Sequence, residues 1–231
     1  MTGIGILVLL IFISALPILP VFIWFRVIRF PLGPWWILGF LAAGAAALVL
    51  AGFLQTLFPP LSGIDKGTLF FKLFVQIALT EEGGRLLLLL VLLQFMRRFL
   101  RRFLRRLPEV SLSLGAAGGL LTGLGFAVIE TAAYGASDPG AALLRTFTAV
   151  PLHGACGSRV GLAAASLPRS PFRALMFFFY AIVIHGMYNF MVISPGLPLF
   201  FPIILVFSAL FSSIQTIRRG VDRKIGAGQE V

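Results

Sequence analysis

Long apolar stretches with few polar residues recur from one end of the chain to the other. A helix that crosses the hydrocarbon core of a bilayer needs about 20 residues. Seven stretches are long enough: about 4–25, 35–57, 69–96, 111–135, 141–166, 172–193 and 197–217. Short connections separate them, several carrying proline or glycine, and Pro17 and Pro20 inside the first stretch predict a kink there. This pattern predicts an all-α fold, a polytopic membrane helical bundle of about seven transmembrane helices.

Basic residues are concentrated in every second connection, and this alternation predicts an orientation. They are Arg26 and Arg29 after the first stretch, Arg97 to Arg106 after the third, Arg169 and Arg173 after the fifth, and Arg218 to Lys224 after the seventh. Cytoplasmic loops of membrane proteins carry an excess of lysine and arginine. Seven spans with the N-terminus outside and the C-terminus inside satisfy this rule at every connection.

Composition supports a membrane protein and argues against a nucleic-acid-binding protein. Hydrophobic residues make up 59% of the 231 residues and charged residues 12%, so we expect one membrane domain over residues 1–231. Its motif-bearing core is predicted at about 69–193 and its cytoplasmic tail at 218–231. The net charge of +11 lies in the basic connections. It predicts contact of the cytoplasmic segment 97–109, above all Arg97 to Arg106, with anionic lipid rather than nucleic acid.

Two adjacent carboxylates and an arginine interrupt the third apolar stretch near its middle. A charged side chain at the centre of a bilayer costs about 2.5–3.5 kcal/mol on insertion scales, so Glu81, Glu82 and Arg85 are expected to face protein or trapped water. Arg85 follows the two acids at i+4 and i+3 and can pair with either. Neighbouring carboxylates in a low dielectric do not both ionise easily. One acid is therefore expected to pair with the arginine while the other suits a general base, although a structural ion pair uses the same residues.

A strip of small residues accompanies a further acid in the fourth stretch. Gly115, Gly119, Gly123 and Glu130 share one helix face. Because small residues let a second helix approach closely, Glu130 is predicted to point into the bundle. A capping or hydrogen-bonded carboxylate near the membrane interface is the alternative.

The chain has two histidines, and both fall inside predicted spans. His153 lies in the fifth stretch at a depth similar to the glutamate pair. His185 lies in the sixth, where Asn189 follows at i+4 on the same face. One intramembrane histidine is often a packing residue, but acids, imidazoles and an amide at overlapping depths predict convergence on one site. Arg145, near the outer boundary, is expected to snorkel to the membrane surface.

These residues resemble the PrsW-type intramembrane proteases, within the larger superfamily that includes CAAX-processing enzymes. The resemblance covers about residues 78–190 and rests on four motifs in order, namely Glu81-Glu82-Gly83-Gly84-Arg85, Gly125 to Glu130, His153, and His185-Gly186-Met187-Tyr188-Asn189. PrsW-type sequences usually carry lysine at the position of Arg85 and asparagine at that of Thr131. CAAX-type enzymes place an arginine one residue further along, so the spacing favours PrsW.

The resemblance implies a hydrolase that cleaves a peptide bond of a membrane-spanning substrate in a prokaryotic cytoplasmic membrane. A single-span protein of the anti-sigma-factor type would be such a substrate. Within the set Glu81, Glu82, Arg85, Glu130, His153, His185 and Asn189, the resemblance makes Glu82 the expected general base. His185 and Asn189 would stabilise the oxyanion, and His153 and Glu130 would orient water. A glutamic-type enzyme without a cofactor is favoured, and zinc held by Glu82, His153 and His185 is the alternative.

The depth of the polar residues adds a prediction about access. In the predicted orientation they lie in the middle or outer half of the bilayer, so a cavity should open toward the extracytoplasmic side or laterally into that leaflet. Two other functions use the same residues. A non-catalytic scaffold, similar to the multi-pass subunit of gamma-secretase, would use them to hold helices or a partner. A proton-coupled transporter would use them as a relay, but the sequence has no evident inverted repeat.

Overall fold

The computed structural model describes residues 3–59, 65–103 and 110–227, and every regular element in these ranges is helical. The helices are α1 Gly3–Ala15, α2 Ile18–Val27, α3 Pro34–Gln55, α4 Lys66–Phe70, α5 Thr80–Phe103, α6 Leu112–Gly135, α7 Pro139–Phe147, α8 Ala149–Ser166, α9 Pro171–Ile193 and α10 Phe200–Ala227. A π-helical segment, Phe71–Leu79, joins α4 to α5. The predicted all-α class is confirmed.

Among the described residues, five helical stretches are long and apolar enough to cross a membrane. They are Ile4–Val27, Pro34–Gln55, Leu112–Gly135, Pro171–Ile193 and Phe200–Asp222. They indicate an integral, multi-pass membrane protein. The predicted third span lies in the continuous helical run from Lys66 to Phe103, which carries the charged residues Glu81, Glu82 and Arg85.

Two helix breaks have their cause in proline. The kink predicted for the first span is confirmed, since α1 ends at Ala15 and α2 begins after Pro17. The predicted continuous helix 141–166 is instead two helices, α7 and α8, which meet at Thr148 with φ −121° and ψ −62°. Pro151 cannot donate a hydrogen bond to the carbonyl of Phe147, so the helix is interrupted one turn upstream.

The predicted glycine strip places α6 directly against α8. A Cβ atom at Gly119 would lie 2.0 Å from the carbonyl oxygen of Gly157, and one at Gly123 would lie 1.9 Å from that of His153. No side chain larger than hydrogen fits at these positions, so the two backbones are in contact. This approach brings the helices that carry Glu130 and His153 side by side at the centre of the bundle.

An N-cap at Asp65 and the π-helical segment lead into α5, the helix that carries Glu81, Glu82 and Arg85. The carboxylate of Asp65 accepts hydrogen bonds from the backbone N–H groups of Gly67 and Thr68. The Thr68 hydroxyl and backbone bonds together lower the pKa of Asp65. The π segment then packs on α9, where a Cβ at Gly186 would lie 2.4 Å from the ring of Phe74. α5 begins at the end of this segment, one residue before Glu81.

Candidate active site

Six of the seven predicted site residues form one continuous network. Glu81, Glu82 and Arg85 come from α5, Glu130 from α6, His153 from α8 and His185 from α9. Hydrogen bonds and ion pairs connect them, as set out below. The predicted convergence of the polar side chains is therefore what the fold produces.

Arg85 is the central member of the network and is fully buried. Its Nη2 atom lies 2.8 Å from Oε1 of Glu82 and 3.6 Å from Oε2 of Glu81. The same atom donates to Nδ1 of His153 at 3.0 Å. The guanidinium carbon lies 4.4 Å from the centre of the Phe126 ring, a favourable cation–π contact in a buried site. One arginine thus joins α5 to α8 and neutralises Glu82.

His185 is oriented by Oε1 of Glu82, the oxygen that also accepts from Arg85. Its Nδ1 atom lies 2.8 Å from Oε1 of Glu82. Because Arg85 also donates to this oxygen, the carboxylate acts as an acceptor and Nδ1 of His185 donates to it. The remaining ring nitrogen, Nε2, lies 3.8 Å from Oε2 of Glu81. In the neutral ring this nitrogen keeps its lone pair.

His153 has both ring nitrogens occupied. A guanidinium only donates hydrogen bonds, so Nδ1 of His153 is the acceptor of the bond from Arg85. The proton of the neutral ring is then on Nε2, which donates to Oε2 of Glu130 at 2.9 Å. The ring stands edge-to-face against that of His185, with 4.9 Å between their centres.

Arg145 belongs to the site, and the prediction that it snorkels away is wrong. Its Nη2 atom lies 2.5 Å from Oε2 of Glu130, and its guanidinium carbon lies 4.1 Å from the centre of the Tyr134 ring. The break at Thr148 gives α7 a direction of its own, and the side chain reaches Glu130. No local sequence pattern around Arg145 predicts its contact with Glu130. The only local signal is Pro151, which marks the helix break that follows Arg145 in the chain.

The two adjacent glutamates differ sharply in their surroundings. Glu82 is held by Arg85 and His185, and it does not border the cavity described below. Glu81 does border that cavity, and its Oε2 atom lies 3.6 Å from Nη2 of Arg85 and 3.8 Å from Nε2 of His185. The Oε2 atom of each glutamate is buried without a hydrogen-bond partner. The two acids therefore differ in the close bonds made to Oε1 of Glu82 and in the position of Glu81 beside the cavity. The family resemblance implied Glu82 as the general base, but the glutamate beside the cavity is Glu81.

A cavity of about 430 Å³ lies beside Glu81. It occupies the end of the bundle where α3, α6 and α9 finish and where α8 and α10 begin. Its polar lining is Gln55, Glu81, Glu130, Tyr134, Arg145, Thr148, His153, Tyr188 and Asn189, and the rest is apolar. Asn189, the seventh predicted site residue, is thus on the wall of the same cavity. Tyr188, whose hydroxyl donates to Oγ1 of Thr148 at 2.9 Å, was not singled out from the sequence.

One group of residues brings potential metal ligands together. Glu81, His153 and His185 each have a ligand atom within 4.8 Å of the others. This corrects the sequence hypothesis, which had Glu82 as the carboxylate. Catalytic zinc is usually held by three protein ligands. The residues do not fit such an ion as they are arranged, because neither nitrogen of His153 has a free lone pair. The cationic Nη2 of Arg85 also lies 3.6 Å from the Glu81 ligand atom.

Arg159 is the remaining cation of α8, and it has a structural environment. Its Nη1 atom donates to the carbonyl oxygens of Ala155 and Ala209 and lies 3.3 Å from Oγ of Ser213. These bonds connect α8 to α10 outside the cavity of the site. Arg159 does not join the cluster of the site.

The sequence profile described as PrsW family intramembrane metalloprotease matches residues 33–214. This range runs from the residue before α3 into α10 and includes every member of the network. No curated protein and no solved structure matches the chain.

Proposed function

The chain belongs to the PrsW family of intramembrane proteases, and from this premise we propose that it hydrolyses a peptide bond of a membrane-spanning substrate with a glutamate-activated water. One observation carries the proposal. Glu81 borders a cavity, and its buried Oε2 atom, which has no hydrogen-bond partner, lies 3.8 Å from Nε2 of His185. A water placed between these two atoms would have two acceptors and an open space beside it.

Glu81 is the proposed general base. It takes a proton from the water, whose oxygen forms a bond to the carbonyl carbon of the substrate. The side-chain amide of Asn189, on the cavity wall, is proposed to donate a hydrogen bond to the developing oxyanion. Glu81 then gives its proton to the leaving nitrogen as the C–N bond breaks, and the products are a carboxylic acid and an amine.

The other members of the network are proposed to position these groups. Glu82 holds His185 with Nε2 toward the water, and Arg85 holds Glu82. Behind them, Glu130 and Arg145 fix the tautomer of His153, which in turn accepts the hydrogen bond from Arg85. Such fixed dipoles need no rearrangement as charge develops, which is the main source of electrostatic catalysis.

A glutamic mechanism is proposed over a metal-dependent one. The support is the hydrogen bond from Arg85 to Nδ1 of His153, which leaves this histidine without a lone pair for a metal. A guanidinium this close to Glu81 also opposes a second cation, since like charges repel strongly in a low dielectric.

The membrane arrangement proposed for this chemistry has seven spans, with the N-terminus outside and the C-terminus in the cytoplasm of a prokaryotic cell. In that arrangement two further spans join the five apolar ones. α5 supplies one of them, and α7 together with α8 supplies the other. The cavity then faces the outer leaflet, which suits cleavage of a single-span protein near its outer boundary. The basic segment that begins at Arg97 is proposed to contact anionic lipid at the inner surface; Arg105 and Arg106 lie outside the described residues.

A scaffold function remains the second candidate, and one observation favours it. The ion pairs and hydrogen bonds of the network connect four helices, which is also what a purely structural cluster would do. Binding of a membrane partner that survives Glu81→Gln, without any cleavage by the unmodified protein, would favour the scaffold.

The test is cleavage of a single-span peptide by the purified protein in lipid nanodiscs. Glu81→Gln should lower the turnover rate by about 10²–10⁴-fold, the usual contribution of a general base. Asp222→Asn, the same chemical change at an exposed site of α10, should leave the rate unchanged. A chelator should have no effect. Full activity of Glu81→Gln, or loss with a chelator and recovery with zinc, would overturn the proposal.

A further inference from the structure

A second cavity, of about 360 Å³, lies at the opposite end of α3 from the candidate active site. It is formed by α2, the turn that follows α2, and the start of α3. α3 has 22 residues, so its two ends are about 30 Å apart at 1.5 Å per residue. The walls are mostly apolar and aromatic, and two arginines line the cavity together with Phe22, Phe25, Phe30, Leu32, Gly33, Pro34 and Ile37.

The two arginines, Arg26 and Arg29, bring positive charge to this cavity. Within residues 3–59, 65–103 and 110–227, no acidic side chain forms an ion pair with either of them. The guanidinium carbon of Arg26 lies 5.3 Å from the centre of the Phe22 ring. Two exposed cations at the edge of an apolar cavity are complementary to a molecule that has an anionic head and an apolar body.

Arg29 occupies a backbone position that favours glycine. Its φ is 49°, in the left-handed region. The N–H of Phe30 donates to the carbonyl of Phe25 at 2.8 Å and the N–H of Arg29 to that of Arg26 at 3.2 Å. These two bonds define a Schellman motif, in which glycine is the usual residue at the left-handed position. An arginine there is strained, so its side chain has to contribute something that a glycine would not.

The aromatic residues beside the cavity indicate its depth in the membrane. Trp35, next to the lining residue Pro34, is 82% exposed. Trp36 packs edge-on against Phe99, from the basic end of α5. Tryptophan is enriched at the level of the lipid headgroups, and α2 ends at this level with Val27. The guanidinium groups are therefore at the depth of lipid phosphates, while the phenylalanine walls are at the depth of acyl chains.

We propose that this cavity is a binding site for an anionic glycerophospholipid. The phosphate contacts Arg26 and Arg29, and the upper part of an acyl chain lies against Phe22, Phe25 and Phe30. The site is separate from the cleavage chemistry and does not depend on the proposed function. A free phosphate would satisfy the arginines but would leave the apolar walls uncovered, so the source of the phosphate is a membrane lipid.

The experiment measures lipid retention by native mass spectrometry of the purified, detergent-solubilised protein. Phosphatidylglycerol should be retained in preference to phosphatidylcholine with the same acyl chains. Arg29→Gly and Arg26→Gln should each weaken retention of phosphatidylglycerol about fivefold, the effect of one arginine near an anionic lipid surface. The matched control is Arg219→Gln, which removes one positive charge from an exposed position of α10 and should leave retention unchanged.

Arg29→Gly also separates loss of the ligand from loss of the fold. Glycine relieves the left-handed strain, so the thermal midpoint of this variant in lipid-free detergent should equal or exceed that of the unmodified protein. A lower midpoint would contradict the strain argument. Equal retention of the two lipids, an equal loss with Arg219→Gln, or competition by glycerol phosphate at the concentration of the lipid would overturn the proposal.

Discussion

Two neighbouring residues of the same type, Glu81 and Glu82, have different roles because a helix turns by about 100° per residue. That rotation directs Glu82 toward Arg85 and His185, and it directs Glu81 toward the cavity. Glu82 has two close donors on its Oε1 atom, whereas Glu81 lies 3.6 Å from Arg85 and borders the cavity. The distinction lies in the partners and not in the residue type.

This difference predicts opposite effects of two equivalent substitutions on stability. Glu82→Gln removes the charge that balances Arg85 and should lower the free energy of unfolding by about 3 kcal/mol, because one buried ion of a pair is left uncompensated. Glu81→Gln removes a buried charge whose contacts with Arg85 and His185, at 3.6 and 3.8 Å, are longer than hydrogen bonds, and it should leave stability unchanged or higher. Circular dichroism during titration with a denaturing detergent measures both. Equal losses would mean that the two carboxylates are held alike.

The elements that matter most are α6 and α8, since their backbone contact sets the position of His153 relative to Glu130. The contact is continuous along the predicted strip, where Gly115 faces Gly161 and Gly119 faces Gly157. The break before α8 contributes at the other end by directing α7 and its Arg145 toward the site. Helix packing at backbone distance and a proline-induced break together bring His153 and Arg145 to the same carboxylate.

A methyl group on this contact should therefore damage the site. Gly123→Ala would place a Cβ 1.9 Å from the carbonyl oxygen of His153, which forces α8 away and should destabilise the protein by about 1–3 kcal/mol. Cleavage should fall in parallel, since the same carbonyl accepts a hydrogen bond from Arg85. Thermal midpoint and turnover rate are the two measurements.

Gly83→Ala is the matched control, because a Cβ at Gly83 meets nothing within 4 Å although Glu82 is its neighbour. Alanine is a better helix former than glycine by about 1 kcal/mol, so this variant should be at least as stable as the unmodified protein. If Gly123→Ala were tolerated equally well, the close approach of α6 and α8 would not be what positions the histidine.

At the scale of the whole molecule, the two ends of the bundle differ in chemistry. One end has the cavity with its acids and histidines, and the other has arginines such as Arg26, Arg29 and Arg98. Because basic residues stay on the cytoplasmic side, this polarity predicts that the cavity faces the extracytoplasmic side. The prediction concerns the orientation of the protein and not the packing of its helices.

Cysteine labelling tests the orientation. The single native cysteine, Cys156, is buried and can be replaced by alanine. In that background, Ser137→Cys lies between α6 and α7, and Leu167→Cys lies just after α8; both positions are exposed. A membrane-impermeant maleimide added to intact cells should label position 137 and should reach position 167 only after permeabilisation. The reverse pattern would turn the cavity toward the cytoplasm.

The sequence by itself determined the helical class, the kink at Pro17, the glycine contact and the convergence of six charged and imidazole side chains. Each follows from a strong, general force: lipid tolerates neither unpaired backbone groups nor isolated charges, so the polar residues of separate helices must meet. The family resemblance rested on the same residues and was confirmed by the match over residues 33–214.

Only the tertiary structure decided how the polar residues divide their roles. Glu82 meets His185 across 103 residues of sequence and Arg85 meets His153 across 68, and no local pattern specifies contacts at such separations. The same holds for Arg145 on Glu130 and for the π turns that precede Glu81. A rotation of α5 about its axis by the angle of one residue would exchange the positions of the two glutamates. The packing of α5 against four other helices sets that rotation.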